Sequence, residues 1–531
     1  MRLTFNHLTS AILHFTYQQY KIKFMNDFVS IEQQFNDLKM SSTLILGCVA
    51  AYSILLFVVT WYTSRGANNE SFFVGNRSSK WYLVAYGMIG ASLSGVTFIS
   101  VPGAVGIAQF SYLQVVSGYL IGYLVIAFIL LPLYYRLNLT SIYSYLLQRF
   151  GNYSYKTGAF FFIISRTIGA AFRLYIVVNV LQVFVFDGMG VPFFVTVAVF
   201  IALILLYTYQ GGVKTIIYTD TLQTTFMLLS VVLSVVFISK QLNLSFGDLY
   251  HKISDSHYSQ IIFNDWKLKS FFPKQFFGGM FIAIAMTGLD QEMMQKNISC
   301  KTLGDAQKNM LSFTFVLFIV NILFLMLGAL LYIYANESAI PLLQDVNGKI
   351  ISDNVFPTVA LNYLGIASAV FFIIGLISAA YPSADGALTA LTSVFCIDFL
   401  GLKNNTLKSE KENVKIRHTV HIAFAVLLLL VIVIFKLVNN DAVINNLFTI
   451  AGYTYGPLLG LYAFGLFTKR AVTDKFVPFV CLLSPAICYF LNEYSQMWWG
   501  GYKFGFELLV VNGFITIIGF FIISKKGNTL L

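Results

Sequence analysis

Charge is scarce in this chain: Asp, Glu, Lys and Arg make up 11% of 531 residues, against 57% hydrophobic. That balance excludes a soluble domain and places the chain among polytopic membrane proteins. Histidine is scarcer still, at six residues with no metal-binding pair. The two that fall near an apolar span, His418 and His421, sit where a helix starts on the cytosolic side, which leaves no His-centred pair for an intramembrane enzyme such as an acyltransferase. The five cysteines show no metal spacing and no disulfide framework. Cys48, Cys396, Cys481 and Cys488 lie in apolar spans as small buried thiols, and Cys300 lies outside them. Long polar stretches are missing too, apart from the N-terminus and short loops, so a transporter-derived membrane sensor has no signalling domain to work through. The net charge of +11 does not point to nucleic acid, because no DNA-binding motif accompanies it and the Lys and Arg residues fall mostly in loops between apolar segments.

What the chain has in quantity is apolar length. About thirteen spans are expected, at 42–63, 81–106, 111–135, 156–186, 191–210, 218–240, 271–295, 309–336, 358–397, 416–437, 442–467, 474–493 and 504–524. An odd number puts the termini on opposite sides. The loops holding Arg65/Arg77/Lys80, Arg136/Arg149/Lys156, Lys214, Lys296/Lys301/Lys308, Lys403/Lys408/Lys411/Lys415 and Lys469/Arg470/Lys475, with the Lys525/Lys526 tail, carry roughly three times the basic residues of the opposite set. They are therefore assigned to the cytosol, with the N-terminus outside and the C-terminus cytoplasmic. The long outer loop of about 241–270 is expected to form a helix or lid. Residues 1–39 read as an N-terminal extension, either a start assigned upstream of Met40 or an amphipathic tail on the membrane surface.

The chain is organised around the run from Gly375 to Ser393, inside an apolar segment too long for one straight span. Pro382 donates no backbone hydrogen bond and Gly386 loosens the next turn, so a break is expected there, with the Ser378 carbonyl freed. Ser378, Ser383, Thr389 and the carboxylate of Asp385 then supply a hard-cation ligand set, and an intramembrane carboxylate marks an ion pathway. Two further spans are rich in helix breakers: the second, from Gly87 to Gly103, and the seventh, with Gly278-Gly279 and Thr287-Gly288-Leu289-Asp290-Gln291. Counted from the second span these are first and sixth of ten, the arrangement expected of an inverted-repeat secondary transporter with its site at the midplane.

Four ordered motifs narrow this. Thr140-Ser141-Ile142-Tyr143-Ser144-Tyr145-Leu146-Leu147-Gln148-Arg149-Phe150, Ile217-Tyr218-Thr219-Asp220-Thr221-Leu222-Gln223 after Gln210-Gly211-Gly212, Gly288-Leu289-Asp290-Gln291-Glu292-Met293-Met294-Gln295-Lys296, and Thr454-Tyr455-Gly456-Pro457-Leu458-Leu459-Gly460-Leu461 together resemble the sodium/solute symporter family. That family includes sodium-coupled sugar, proline, sialic acid, iodide, monocarboxylate and multivitamin carriers. The resemblance implies an all-α fold with a leucine-transporter-like 5+5 inverted-repeat core over 81–468. One extra transmembrane helix at 40–65 would precede the core, and two with a short tail at 474–531 would follow it. It also implies sodium sites. Gly90, Leu93 and Ala379 match positions offering backbone carbonyls, and Ser383 matches the second of two adjacent hydroxyls. The first hydroxyl position holds Pro382, so either that ligand is lost or Ser378, Asp385 or water supplies it. Asp220 matches an aspartate where some members hold a second sodium.

Arg166 and Arg173 stand seven apart, near one face of one helix and too deep to snorkel easily. They pair either with Asp220 and Asp385 or with the anionic end of a solute. Ser94 and Thr97 put hydroxyls beside the unwound part of the second span, and the Thr97–Gly103 run resembles the anion-carrying branch of the family more than the sugar branch. Near Gly456-Pro457, itself read as a kink, Tyr453 and Tyr455 are placed to face the solute. Asp290 and Gln291 read as a capping and loop-packing cluster at the inner end of a helix. The expected protein is a sodium-driven importer of a small polar, anionic solute, with a neutral sugar or amino acid as the alternative cargo. No enzyme activity, no metal other than sodium and no nucleic-acid partner are expected.

Overall fold

The computed structural model describes residues 42–65, 69–345, 347–402, 409–438 and 443–526. The extension of residues 1–39, Met40, and the loop lysines Lys403 and Lys408 lie outside them.

The chain forms helices in the following order. First come α1 (Ser42–Thr63), the short α2 (Asn69–Val74), α3 (Trp81–Ser92), α4 (Gly95–Ala108), α5 (Tyr112–Arg136), the short α6 (Ser144–Arg149) and α7 (Asn152–Leu181). Next are α8 (Phe193–Thr208), α9 (Gly212–Gln241), α10 (Phe246–Ser254), α11 (Phe272–Ala283), α12 (Gln291–Ile298), α13 (Leu303–Glu337) and α14 (Val355–Asn362). The last are α15 (Gly365–Val394), α16 (Glu410–Val438), α17 (Val443–Phe467), α18 (Val477–Trp498) and α19 (Leu508–Ile523). A helix runs through each expected span. Eight helices are long and apolar enough to cross a membrane, or nine if α3 and α4, bent by 55°, count as one span, among the described residues. Large apolar side chains such as Trp61, Phe128, Phe315 and Phe479 are exposed on the outer surface, as hydrocarbon surroundings require. The expected outer-loop helix is present as α10, started by a reciprocal Ser245/Asp248 capping box. A two-residue strand pair, β1 (Ala471–Val472) with β2 (Ser524–Lys525), ties the loop after α17 to the end of α19.

Both expected breaks in the repeat-related spans are present. Leu93 and Ser94 leave helical geometry between α3 and α4, and Leu289 and Asp290 do so between α11, with its π-turn at Ile284–Gly288, and α12. Asp290 does not stand at the inner end of the seventh span. The span continues as α12, every residue of which is buried, so Asp290 caps a half-helix inside the bundle, accepting from the amides of Glu292 (2.9 Å) and Met293 (3.3 Å). Gln291 does the loop packing anticipated for it, holding the Ile142 amide and the Thr140 carbonyl.

The break expected at Pro382 is absent: α15 is helical from Gly365 to Val394, with Pro382 inside it. The over-long segment is divided instead before Gly365, whose φ of 81° separates α14 from α15. A buried helix tolerates an internal proline when neighbouring helices meet the backbone groups it frees. Pro457 in α17 shows how: the carbonyl of Tyr453, four residues earlier, accepts from Asn512 Nδ2 of α19 at 2.9 Å. Gly212 sits at φ 55°, and an added Cβ would lie 2.4 Å from the Cα of Phe72, so only glycine makes the turn that reverses α8 into α9.

Candidate functional site

Around the first break a cavity of about 80 Å³ opens in the middle of the bundle. Its wall includes Ser92, Leu93, Ser94 and Thr97 from the broken span, Arg166 and Arg173 from α7, Thr287 and Met293 from the second broken span, Asn321 from α13 and Phe448 from α17. Tyr112, Tyr119 and Tyr123 of α5 complete it. Four of the five expected solute residues, Ser94, Thr97, Arg166 and Arg173, thus meet in one place. Tyr453 does not line this cavity: its hydroxyl accepts from Asn492 of α18 at 2.9 Å. Tyr455 turns inward and donates to Asp290 Oδ2 at 2.8 Å.

The two arginines have different partners. Arg166 is 2% exposed, hydrogen-bonds to Glu292 and stands 3.8 Å from Asp290. Arg173 is 9% exposed, borders the cavity and has no carboxylate within ion-pair distance among the described residues. Its Nε is buried without a hydrogen-bond partner. Neither arginine pairs with Asp220 or Asp385. Asp220 accepts from Lys296 Nζ at 2.7 Å, and Asp385 accepts from the Tyr207 hydroxyl of α8 at 2.8 Å and from the Gly386 amide at 2.5 Å. Lys296 is therefore no loop charge. It is 2% exposed and also lies 3.5 Å from Glu292. Glu292 joins the two basic groups, and one of its oxygens presses on Gly386 of α15, where a Cβ would come within 2.3 Å of it.

The expected sodium ligands flank the same region. Gly90 lets α3 approach α9 closely, with Thr224 Oγ1 2.2 Å from where a Cβ would stand. Beyond Gly90 the helix unwinds at Leu93, which leaves the last carbonyls of α3 without the amides of a following turn. On α15, which contacts α3, the hydroxyls of Ser378, Ser383 and Thr389 are buried and have no hydrogen-bond partner. Asp385 lies about 60° round the helix from Pro382, on the side of the lost hydroxyl, and is held by the Tyr207 hydroxyl and the Gly386 amide. No group of three or more His, Cys, Asp or Glu that could hold a metal ion is found among the described residues. Carbonyls with a lone hydroxyl suit a weakly held monovalent cation better than a multivalent one.

Sequence reasoning did not anticipate Glu292, Lys296, Tyr207 or the α5 tyrosines. One signal was available: a Glu and a Lys four apart directly after the second break share a helix face, which ending the span at residue 295 concealed.

The model of the family described as "Sodium:solute symporter family" matches residues 72–474 of this chain. The chain belongs to that family. Among its relatives, the sodium/sialic acid symporter SiaT of Proteus mirabilis is 23% identical over 425 residues, covering 78% of this chain and 83% of that protein. The sodium/sialic acid symporter NanT of Aliivibrio fischeri is 24% identical, covering 78% and 81%. The human sodium/iodide cotransporter is 22% identical, covering 80% and 66%. A solved substrate-bound, outward-open Na+-coupled sialic acid symporter superposes with a TM-score of 0.76 at 19% identity, over 91% of this chain and 99% of that one, which establishes a shared fold. The symporter is thus a multi-pass, sodium-coupled solute transporter and not an enzyme.

Proposed function

We propose that the symporter imports a small organic anion together with sodium across the cytoplasmic membrane by alternating access, with its N-terminus outside and its C-terminus in the cytosol. The observation that carries this reading is Arg173, a guanidinium at the wall of the central cavity with no carboxylate partner among the described residues. An unpaired charge inside a membrane protein is costly, and a solute carboxylate matches the planar fork of an arginine. Ser94, Thr97 and Asn321 offer hydrogen bonds to the rest of the solute, and Tyr112, Tyr119 and Tyr123 add both ring surface and hydroxyls. The broken span alone is poor in aromatics and amides. The assembled cavity is not, which favours a carboxylated, hydroxyl-bearing solute such as the sialic acid carried by two relatives. Sodium is assigned to the carbonyls of Gly90, Leu93 and Ala379 with the Ser383 hydroxyl. Asp385, the carboxylate of this region with no basic partner among the described residues, acts on the ion through its field.

Uptake by proteoliposomes, with and without an inward sodium gradient, tests the proposal on N-acetylneuraminate, lactate and glucose. Sodium-dependent uptake of one of the two anions and none of glucose is expected. Sodium-dependent glucose uptake alone would overturn the anionic reading. Within the same assay Ser383→Ala is expected to raise the half-saturating sodium concentration about tenfold, the loss of one net interaction of about 1.4 kcal/mol. Asp385→Asn should shift it in the same direction with solute affinity kept, and an unchanged sodium titration in both variants would remove the assigned ion site.

A further inference from the structure

Where α1 ends and α9 begins, a cleft of about 590 Å³ opens on the membrane-facing surface. It shares no lining residue with the central cavity. One wall comes from α1, where Val58, Trp61 and Tyr62 follow at spacings of three and four and so share a helix face, with Arg65 just past the helix end. The other wall comes from the start of α9, as Lys214 and Tyr218, one turn apart. Val58, Trp61, Tyr62 and Tyr218 are all exposed, so the cleft is apolar and aromatic where it is open.

Both of its charges are positive. The guanidinium carbon of Arg65 stands 3.9 Å from the centre of the Trp61 ring and 5.8 Å from that of Tyr62. A ring fixes the position of a guanidinium without using its N–H donors. Neither Arg65 nor Lys214 has a carboxylate within ion-pair distance among the described residues. Three features then define the ligand. The cleft opens toward hydrocarbon, so the ligand carries apolar chains. Two cations without a counter-charge call for an anionic head, and a phosphate suits both the arginine fork and the lysine point charge. Trp and Tyr at the end of a span settle at the level of the lipid head groups. A soluble anion would leave the apolar wall unused, and an acidic peptide would have to enter the bilayer to cover it.

We infer that this cleft binds an anionic phospholipid of the cytoplasmic leaflet, with its phosphate between Arg65 and Lys214 and its acyl chains running back along Val58. Basic pockets between transmembrane helices on the cytoplasmic side hold such head groups. The leaflet follows from the orientation given under Proposed function. The lipid ties α1, the helix ahead of the ten-helix core, to α9 within that core.

Native mass spectrometry of the purified full chain in detergent, titrated with phosphatidylglycerol or phosphatidylcholine, tests it. The parent is expected to retain phosphatidylglycerol about thirtyfold more tightly, as two basic residues near a head group supply. The double variant Arg65→Gln/Lys214→Gln should lose that preference. Lys469→Gln/Lys475→Gln, which removes two basic residues on the same side but outside the cleft, should keep it. Equal retention of the two lipids by the parent would overturn the inference, as would a preference that survives in Arg65→Gln/Lys214→Gln. A preference lost equally in both double variants would mean general attraction to a basic surface and would overturn it too.

Discussion

Arg173→Lys is expected to raise the solute concentration needed for half-maximal uptake by about ten- to a hundredfold while leaving the sodium titration where it was. Lysine keeps the positive charge at the cavity wall but replaces the planar fork with a point charge, so the two parallel hydrogen bonds to a carboxylate are lost. At about 1.4 kcal/mol per tenfold change, that range corresponds to the net loss of one charge-assisted hydrogen bond, worth about 1.5–3 kcal/mol. Arg166→Lys provides the contrast. Arg166 lines the same cavity, but its guanidinium is held by Glu292 with Asp290 3.8 Å away, so its replacement should cost protein stability more than solute affinity. Uptake kinetics of the two variants side by side, with the solute that responds in proteoliposomes, decide the matter. If Arg173→Lys matches the parent, the guanidinium does not touch the solute.

Glu292→Ala is expected to be the most damaging single change, at about 3–5 kcal/mol of stability. One carboxylate serves two buried cations, Arg166 of α7 and Lys296 of its own helix, and its oxygen is seated against Gly386 of α15. Removing it leaves Arg166 with only Asp290, 3.8 Å away, while Lys296 keeps Asp220 at 2.7 Å, and breaking a buried hydrogen-bonded pair costs far more than the pair contributes when intact. Gly386→Ala attacks the same contact from the other side, since its Cβ would lie 2.3 Å from the carboxylate oxygen. Unfolding of the detergent-purified protein measures both. The Glu292→Ala protein should show the large loss, and Gly386→Ala should show a smaller one because the glutamate side chain is able to shift. A Glu292→Ala protein as stable as the parent would mean that water reaches this cluster.

Much of the site was legible before any coordinates. Intramembrane arginines are costly, so Arg166 and Arg173 marked themselves, and spacing by seven placed both near one helix face. Ser94 and Thr97 followed from glycine and serine crowding near a break that the structure confirms at Leu93 and Ser94. The division of labour between the arginines was not legible. It depends on which acidic group approaches which helix, and Arg166 finds Glu292 across 126 residues of sequence. Tyr207 likewise reaches Asp385 across 178 residues. The expected proline break was misread for a related reason: local sequence shows that Pro382 removes a backbone donor, but only the packed structure shows that α15 continues through it.

Composition and hydropathic length by themselves determined the membrane class and the approximate spans. These are properties of single segments measured against a bilayer of set thickness, and no other part of the chain alters them. The tertiary structure alone decided which charges neutralise one another. A buried ion pair is a relation between helices distant in sequence, fixed by packing to a few ångströms, whereas hydrophobic periodicity records only which face of a helix points inward. Lys296 illustrates this most plainly: as sequence it was one more basic residue beside a loop, and as structure it is the partner of Asp220 at the centre of the protein.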